Sequence, residues 1–232
     1  MRGLRKYLTP FAPDQSGAVS VLYELGGIIV ICDAGGCTGN VCGFDEPRWF
    51  ERKSAVFSAG LRDMDAILGR DDCLVAKLVD AADKIDANLA AIVGTPVPAV
   101  IGTDYQALKR MCEKKTDLPI LAIDTDGMEL YDKGEEKAYL ALFTAFAKEK
   151  YEVCKEKVGI LGMTPQDVSD LKAADKVREE LKKEGKEAIC YGMGDGLEAV
   201  ERASEVGKNI VVSAAALEAV SYTHLRAHET RG

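Results

Sequence analysis

Short apolar segments alternate with amphipathic helical ones along nearly the whole chain, and few folds absorb that pattern. Residues 28–32, 89–93, 118–123, 157–162, 187–191 and 209–212 read as strands buried in a core. Between them, residues 16–25, 61–68, 74–85, 135–151, 170–184 and 197–205 carry apolar positions at helical spacing. Thr103 or Asp104 is placed to cap one more helix, running to about Lys114. Strands alternating with helices of this length imply right-handed crossovers and parallel sheets covered on both faces. The fold class expected is therefore α/β, with tandem Rossmann-like units, parallel sheets flanked by helices, and a truncated C-terminus. The order restarts after residues 151–156, which divides the chain into a first unit at 1–152 and an incomplete second unit at 153–219.

Residues 220–232 are set apart. The run Val220-Ser-Tyr-Thr-His-Leu-Arg-Ala-His-Glu-Thr230 resembles the translated read-through of a transposase-type sequencing adapter, and such scars are excluded from fold reasoning. Both histidines, His224 and His228, lie there, so the rest of the chain has none and a His-based triad is excluded from it. The gene is expected to continue past Ala219.

Composition removes several function classes. The 232 residues are 47% apolar and 29% charged, which excludes wholesale disorder. A formal net charge of -8 argues against a nucleic-acid partner. No apolar run is long enough to span a membrane, and no apolar signal core follows Met1 and the early basic residues. Seven cysteines in such a chain suggest reduced thiols or metal ligands, and a cytoplasmic location. Residues 158–167 imitate a dinucleotide fingerprint, but Pro165 removes an N–H that a pyrophosphate would need. A strand-to-loop transition is expected there, and a flexible turn at Gly192-Met193-Gly194-Asp195-Gly196. No P-loop, zinc-protease helix or serine elbow is present.

The chemistry-bearing segment is Ile31-Cys32-Asp33-Ala34-Gly35-Gly36-Cys37-Thr38-Gly39-Asn40-Val41-Cys42-Gly43. It sets Cys32, Cys37 and Cys42 at a Cys-x4-Cys-x4-Cys spacing, in an expected loop at residues 33–48 leaving the end of a buried strand. Ligands in open α/β sheets sit beyond that end. Soft thiolates suit iron–sulfur clusters, and glycines such as Gly35 and Gly36 let backbone approach a bulky group closely. Equally compatible with the spacing is a core role for Cys32 with Cys37 and Cys42 as incidental loop thiols. The neighbouring segment Gly43-Phe44-Asp45-Glu46-Pro47-Arg48-Trp49-Phe50 admits two readings, a docking surface or a self-packed loop. Asp63, Asp65, Asp71 and Asp72 lack calcium-loop spacing and read as a solvated face. Cys73, Cys112, Cys154 and Cys190 are expected to be small buried residues.

Four landmarks, in order and spacing, resemble the nitrogenase component 1 superfamily, which includes nitrogenase molybdenum-iron protein subunits and protochlorophyllide reductase. They are residues 8–18, Cys32-Asp33-Ala34-Gly35-Gly36-Cys37, Ile67-Leu68-Gly69, and Val100-Ile101-Gly102-Thr103-Asp104. The resemblance runs from about Tyr7 to Ala214. It implies that Cys37 is a ligand of an iron–sulfur cluster at a subunit interface. It also implies an ATP-dependent iron–sulfur reductase as electron donor, and a paralogous or identical component 1 subunit as partner.

Several positions depart from the family pattern. Cys32 stands where many relatives have histidine. Near Pro13 and Asp14, and again near Thr95 and Pro96, relatives have cysteines that this chain lacks. These departures argue against an eight-iron cluster and for a smaller one, with ligands from Cys32, Cys37 and Cys42 and Asp14 as a weaker oxygen ligand. The leading expectation is an oxidoreductase subunit that relays low-potential electrons to a bound substrate. The alternatives are a scaffold or carrier for metallocofactor assembly, or a metal-free small-molecule binding protein.

Overall fold

A computed structural model describes residues 8–51 and 54–221. The tail from residue 222 onward, with both histidines, lies outside the described residues. In chain order the elements begin with α1 (Asp14–Leu22), β1 (Ile28–Ile31), α2 (Gly36–Asn40), β2 (Ala55–Ser58), α3 (Asp63–Leu68), α4 (Asp71–Lys84) and β3 (Ala90–Val93). They continue with α5 (Pro96–Val100), α6 (Tyr105–Glu113), β4 (Ile120–Ile123), α7 (Tyr131–Phe146), β5 (Cys154–Leu161), α8 (Pro165–Val168), α9 (Ala173–Lys183), β6 (Glu187–Cys190), α10 (Leu197–Glu201) and β7 (Val206–Val211). Two parallel sheets result, ordered β2-β1-β3-β4 and β6-β5-β7. Their helices cover both faces of the first sheet, as the near-continuous apolar strands require.

Strand alternation sorts the core. Ile28, Val30, Ala90 and Ile92 face α4 and α6, where Leu74, Leu78 and Leu108 close the layer. Ile29, Ile31, Ala91 and Val93 face the opposite way, toward α1 and α7. That second core does not stop at the first sheet: Tyr139 and Phe143 of α7 share it with Leu161, Tyr191 and Leu197 of the second. The buried Tyr139 hydroxyl donates to Tyr191 O at 3.0 Å and accepts from Gly162 N at 3.2 Å. Phe143 meets the Tyr191 ring edge-on at 5.2 Å.

Helix α1 is buried along all nine residues. It crosses α7 so closely that glycine is required at the contact: a Cβ on Gly134 would stand 1.6 Å from Asp14 O, and one on Gly17 2.1 Å from Tyr131 O. The cap expected at Asp104 forms, its carboxylate accepting from Ala107 N at 2.9 Å. Strand β2 has no counterpart in the sequence reading. It is four residues on a sheet edge with Phe57 partly exposed, too short for a period to register.

The stretch 33–48, expected to be a loop, is instead three short helical turns: α2, a π-type turn at Val41–Asp45 and a 3-10 turn at Pro47–Phe50. Pro165 begins a short helix capped by Thr164 rather than a loop. The turn at 192–196 matches expectation, with Gly192 and Gly194 at positive φ. Cys112 and Cys190 are buried as expected, whereas Cys73 and Cys154 stay partly exposed.

Candidate functional site

The first sheet reverses its strand order between β1 and β3, and a crevice opens where a sheet does this. The segments leaving those two strands carry Cys32 to Cys42 on one side and Gly94-Thr95-Pro96 on the other. Thr95 Oγ1 donates to Cys32 O at 2.6 Å and ties the two segments together.

Asp33 organises the turn that follows. Its buried carboxylate accepts from Thr38 N at 2.7 Å, from Thr38 Oγ1 at 3.0 Å and from Ser58 Oγ. An otherwise orphaned helix N–H is thereby satisfied, and β1, α2 and β2 are joined at one point. Gly35 at φ 117 supplies the left-handed residue that lets the chain enter α2.

The three thiols go to different places. Cys32 is buried in the core against α4 and α6, and burial pushes its thiol up to about 12. Cys42 is buried in the core on the opposite face, its thiol also raised by burial and then by Glu46. Cys37, near the start of α2, is half-buried; burial first, and then the Asp33 carboxylate, raises its thiol. A metal that binds Cys37 must therefore displace a proton, so affinity rises with pH.

Asp14 is fully buried and saturated with donors: Gln15 N at 2.9 Å, Asp126 N at 3.0 Å and Gly127 N at 2.7 Å. Burial raises its carboxyl and those backbone bonds act the other way. It pins the segment after β4 to the start of α1. Among the described residues no group of three or more His, Cys, Asp or Glu could hold a metal ion. Of the three thiols of this turn, Cys37 is the one that is not buried.

What surrounds Cys37 is open. A Cβ on Gly36, Gly39 or Gly43 would meet nothing within 4 Å. The chain's own packing therefore gives no reason for glycine at these positions. Several large apolar side chains on the segments flanking the strands and α1 are exposed: Phe44 is 80% exposed, Val100 86%, Met128 81% and Phe11 104%. Gly36→Ala and Gly39→Ala are expected to change stability by no more than about 0.5 kcal/mol, measured by urea unfolding; a larger loss would show that the turn is packed against something within the chain.

Sequence reasoning missed two features. Arg48, buried to 4% exposure, is held in an ion-pair network rather than offered to a partner, and Trp49 packs against the core. The self-packed reading of that segment holds for these two residues, while Phe44 and Phe50 stay exposed. Glu135 is the second: it is fully buried, and neither carboxyl oxygen has a hydrogen-bond partner among the described residues. Only its burial in three dimensions distinguishes it from Asp132 and Glu136, the half-buried acids of the same helix.

Residues 15–223 match the sequence model of the family described as nitrogenase component 1 type oxidoreductase. The chain belongs to that family. Two solved structures share its fold: nitrogenase Cp1 at pH 6.5, with a TM-score of 0.70 and 19% identity over 91% of this chain, and nitrogenase Cp1 at pH 5, with 0.72 and 19% over 96%. The chain spans 43% and 47% of those two chains, less than half their length. No curated protein sequence matches it. Among the described residues no helix is long and apolar enough to cross a membrane.

Proposed function

We propose that the chain is an oxidoreductase subunit whose Cys37 turn holds one side of an iron–sulfur cluster, completed by ligands from a second component 1-type chain. The observation that carries this reading is the half-buried Cys37 thiol beside three glycines whose missing side chains face open space, at the switch point of the first sheet. Cys42 lies five residues further along the same segment, as far from Cys37 as Cys32 is on the other side. Cys32 and Asp14 are occupied structurally, one in the core and one by backbone amides, and their use as ligands would require the strand end or α1 to move. Exposed Phe44, on the same turn, suits contact with the second subunit. When bound, the cluster supplies one-electron chemistry at low potential. Electrons would come from an ATP-dependent iron–sulfur reductase and pass to a bound substrate. The protein's share is to place Cys37, exclude water from it and supply backbone N–H groups around it.

The test is anaerobic reconstitution with iron and sulfide, followed by visible and electron paramagnetic resonance spectra of wild type and Cys37→Ser. A cluster signal present in the wild type and lost in the variant is expected. A folded, colourless wild type would remove the cluster from this reading. The placement of Cys32 on the far face favours, in that event, the second reading of a metal-free small-molecule binding protein.

A further inference from the structure

The turn that carries Cys37 and Cys42 is held by its own unit, through Asp33, Ser16 and Ser20, and also from the second sheet. Arg48 makes a two-point fork with Glu46, Nε to Oε1 and Nη2 to Oε2, both at 2.7 Å. Nη2 also donates to Ser20 O of α1 at 2.6 Å. Nη1 crosses to the second sheet and donates to Gly192 O at 3.0 Å. The guanidinium lies over the Tyr23 ring at 4.7 Å and faces Glu24 at 3.5 Å, and Glu24 in turn accepts from Gly194 N. A second link runs independently: Gln166 Nε2 of α8 donates to Asp45 O at 2.9 Å, while Asp45 Oδ2 accepts from Ser16 Oγ and Asn40 Nδ2, each at 2.7 Å. Two separate turns of the second sheet thus grip the π-type turn Val41–Asp45 and its continuation.

We propose that Arg48 is a positioning residue which makes the placement of the Cys37–Cys42 turn conditional on the second sheet, so that a shift of residues 192–194 reaches the thiols through one guanidinium. The geometry is specific to arginine. Its planar fork serves Glu46, Ser20 and Gly192 simultaneously, whereas lysine has one nitrogen and cannot span them. Glu46 is itself 2% exposed and also accepts from Arg48 N and Ser20 Oγ, so the fork cannot relax into water. The inference rests on reading the Cys37 turn as the functional site. Its test needs no cluster, so the two can fail separately.

The measurement is the rate of iodoacetamide alkylation at each cysteine of the full metal-free chain, resolved by mass spectrometry, for wild type, Arg48→Lys and Leu78→Ala. Leu78 lies in the core on the far side of the first sheet and serves as a control for general loss of stability. In Arg48→Lys, alkylation of the buried Cys42 is expected to rise at least tenfold and that of Cys37 to change with it, while Cys73 on α4 and the buried Cys112 keep their wild-type rates. Leu78→Ala is expected to raise Cys112 and leave Cys42 unchanged. A parallel rise at all sites in Arg48→Lys, or no change at Cys42, would overturn the proposal. If Arg48→Lys does not fold, Glu24→Gln takes its place: it keeps an acceptor for Gly194 N but removes the charge facing Arg48, and an unchanged Cys42 rate would then overturn the proposal.

Discussion

Gly134→Ala is expected to destabilise the chain by about 3 kcal/mol or more, enough to abolish a cooperative urea transition in a marginal domain. Taken as a helix residue, Gly134 should behave in the opposite sense, since alanine is favoured over glycine in a helix interior by up to about 1 kcal/mol. The α1–α7 crossing reverses the sign. An added methyl would stand 1.6 Å from Asp14 O and 2.5 Å from Asp14 C, both backbone atoms that no rotamer change can move. The helices would have to separate, and separation would strip Asp14 of its bonds to the amides of Asp126 and Gly127. It would also open the core shared by the two sheets, because α7 carries Tyr139 and Phe143 into it. Gly36→Ala, on a helix end facing open space, is the internal control. Equal effects from the two substitutions would show that the crossing is looser than described.

Glu135→Gln should have the largest pH-dependent effect. Burial, and then the neighbouring Asp167 carboxylate, raise the Glu135 carboxyl well above its ordinary 4.5. Its surroundings include Tyr131, whose hydroxyl meets Thr164 Oγ1 at 2.9 Å, with Thr164 donating in turn to Asp167 Oδ2 at 2.8 Å. Asp132 on its own helix adds to the effect. A carboxyl raised in the folded state retains its proton after the unfolded chain has released it. Stability is therefore fully present below the unfolded value and falls by about 1.4 kcal/mol per pH unit above it, until the buried group itself ionises. Glutamine has no proton to lose. The stability of Glu135→Gln minus that of wild type is thus expected to grow as pH rises above the ordinary carboxylate range. Urea unfolding at four pH values between 4 and 7 reads the slope, and a flat difference would mean that Glu135 is ionised or solvated in the folded chain.

These effects separate what was legible in the chain from what was not. The strands at 28–32 and 89–93 were readable because both faces of a parallel strand are buried, which leaves an unbroken apolar run. Helix α6 announced its start through Asp104, since a cap is a contact between residues three apart. Strand β2 was not readable, being a four-residue edge whose partner lies 27 positions earlier in the chain, with Ile28 paired to Ala55. The cysteine spacing drew attention to this turn, but left open whether Cys32 is a core residue or a ligand. Alternation along β1 and the helical turns after it send Cys32, Cys37 and Cys42 to one core, the surface and the other core.

The sequence alone therefore determined the class of fold and the family resemblance, because local periodicity, capping and motif spacing are properties of neighbouring residues. The tertiary structure decided which thiol is accessible, why Asp14 is committed to the fold, and that Arg48 and Glu135 are buried between the two sheets. Each of those depends on atoms brought together from distant parts of the chain, as with Arg48 and Gly192, where burial and hydrogen-bond satisfaction are set by packing and leave no local pattern to read.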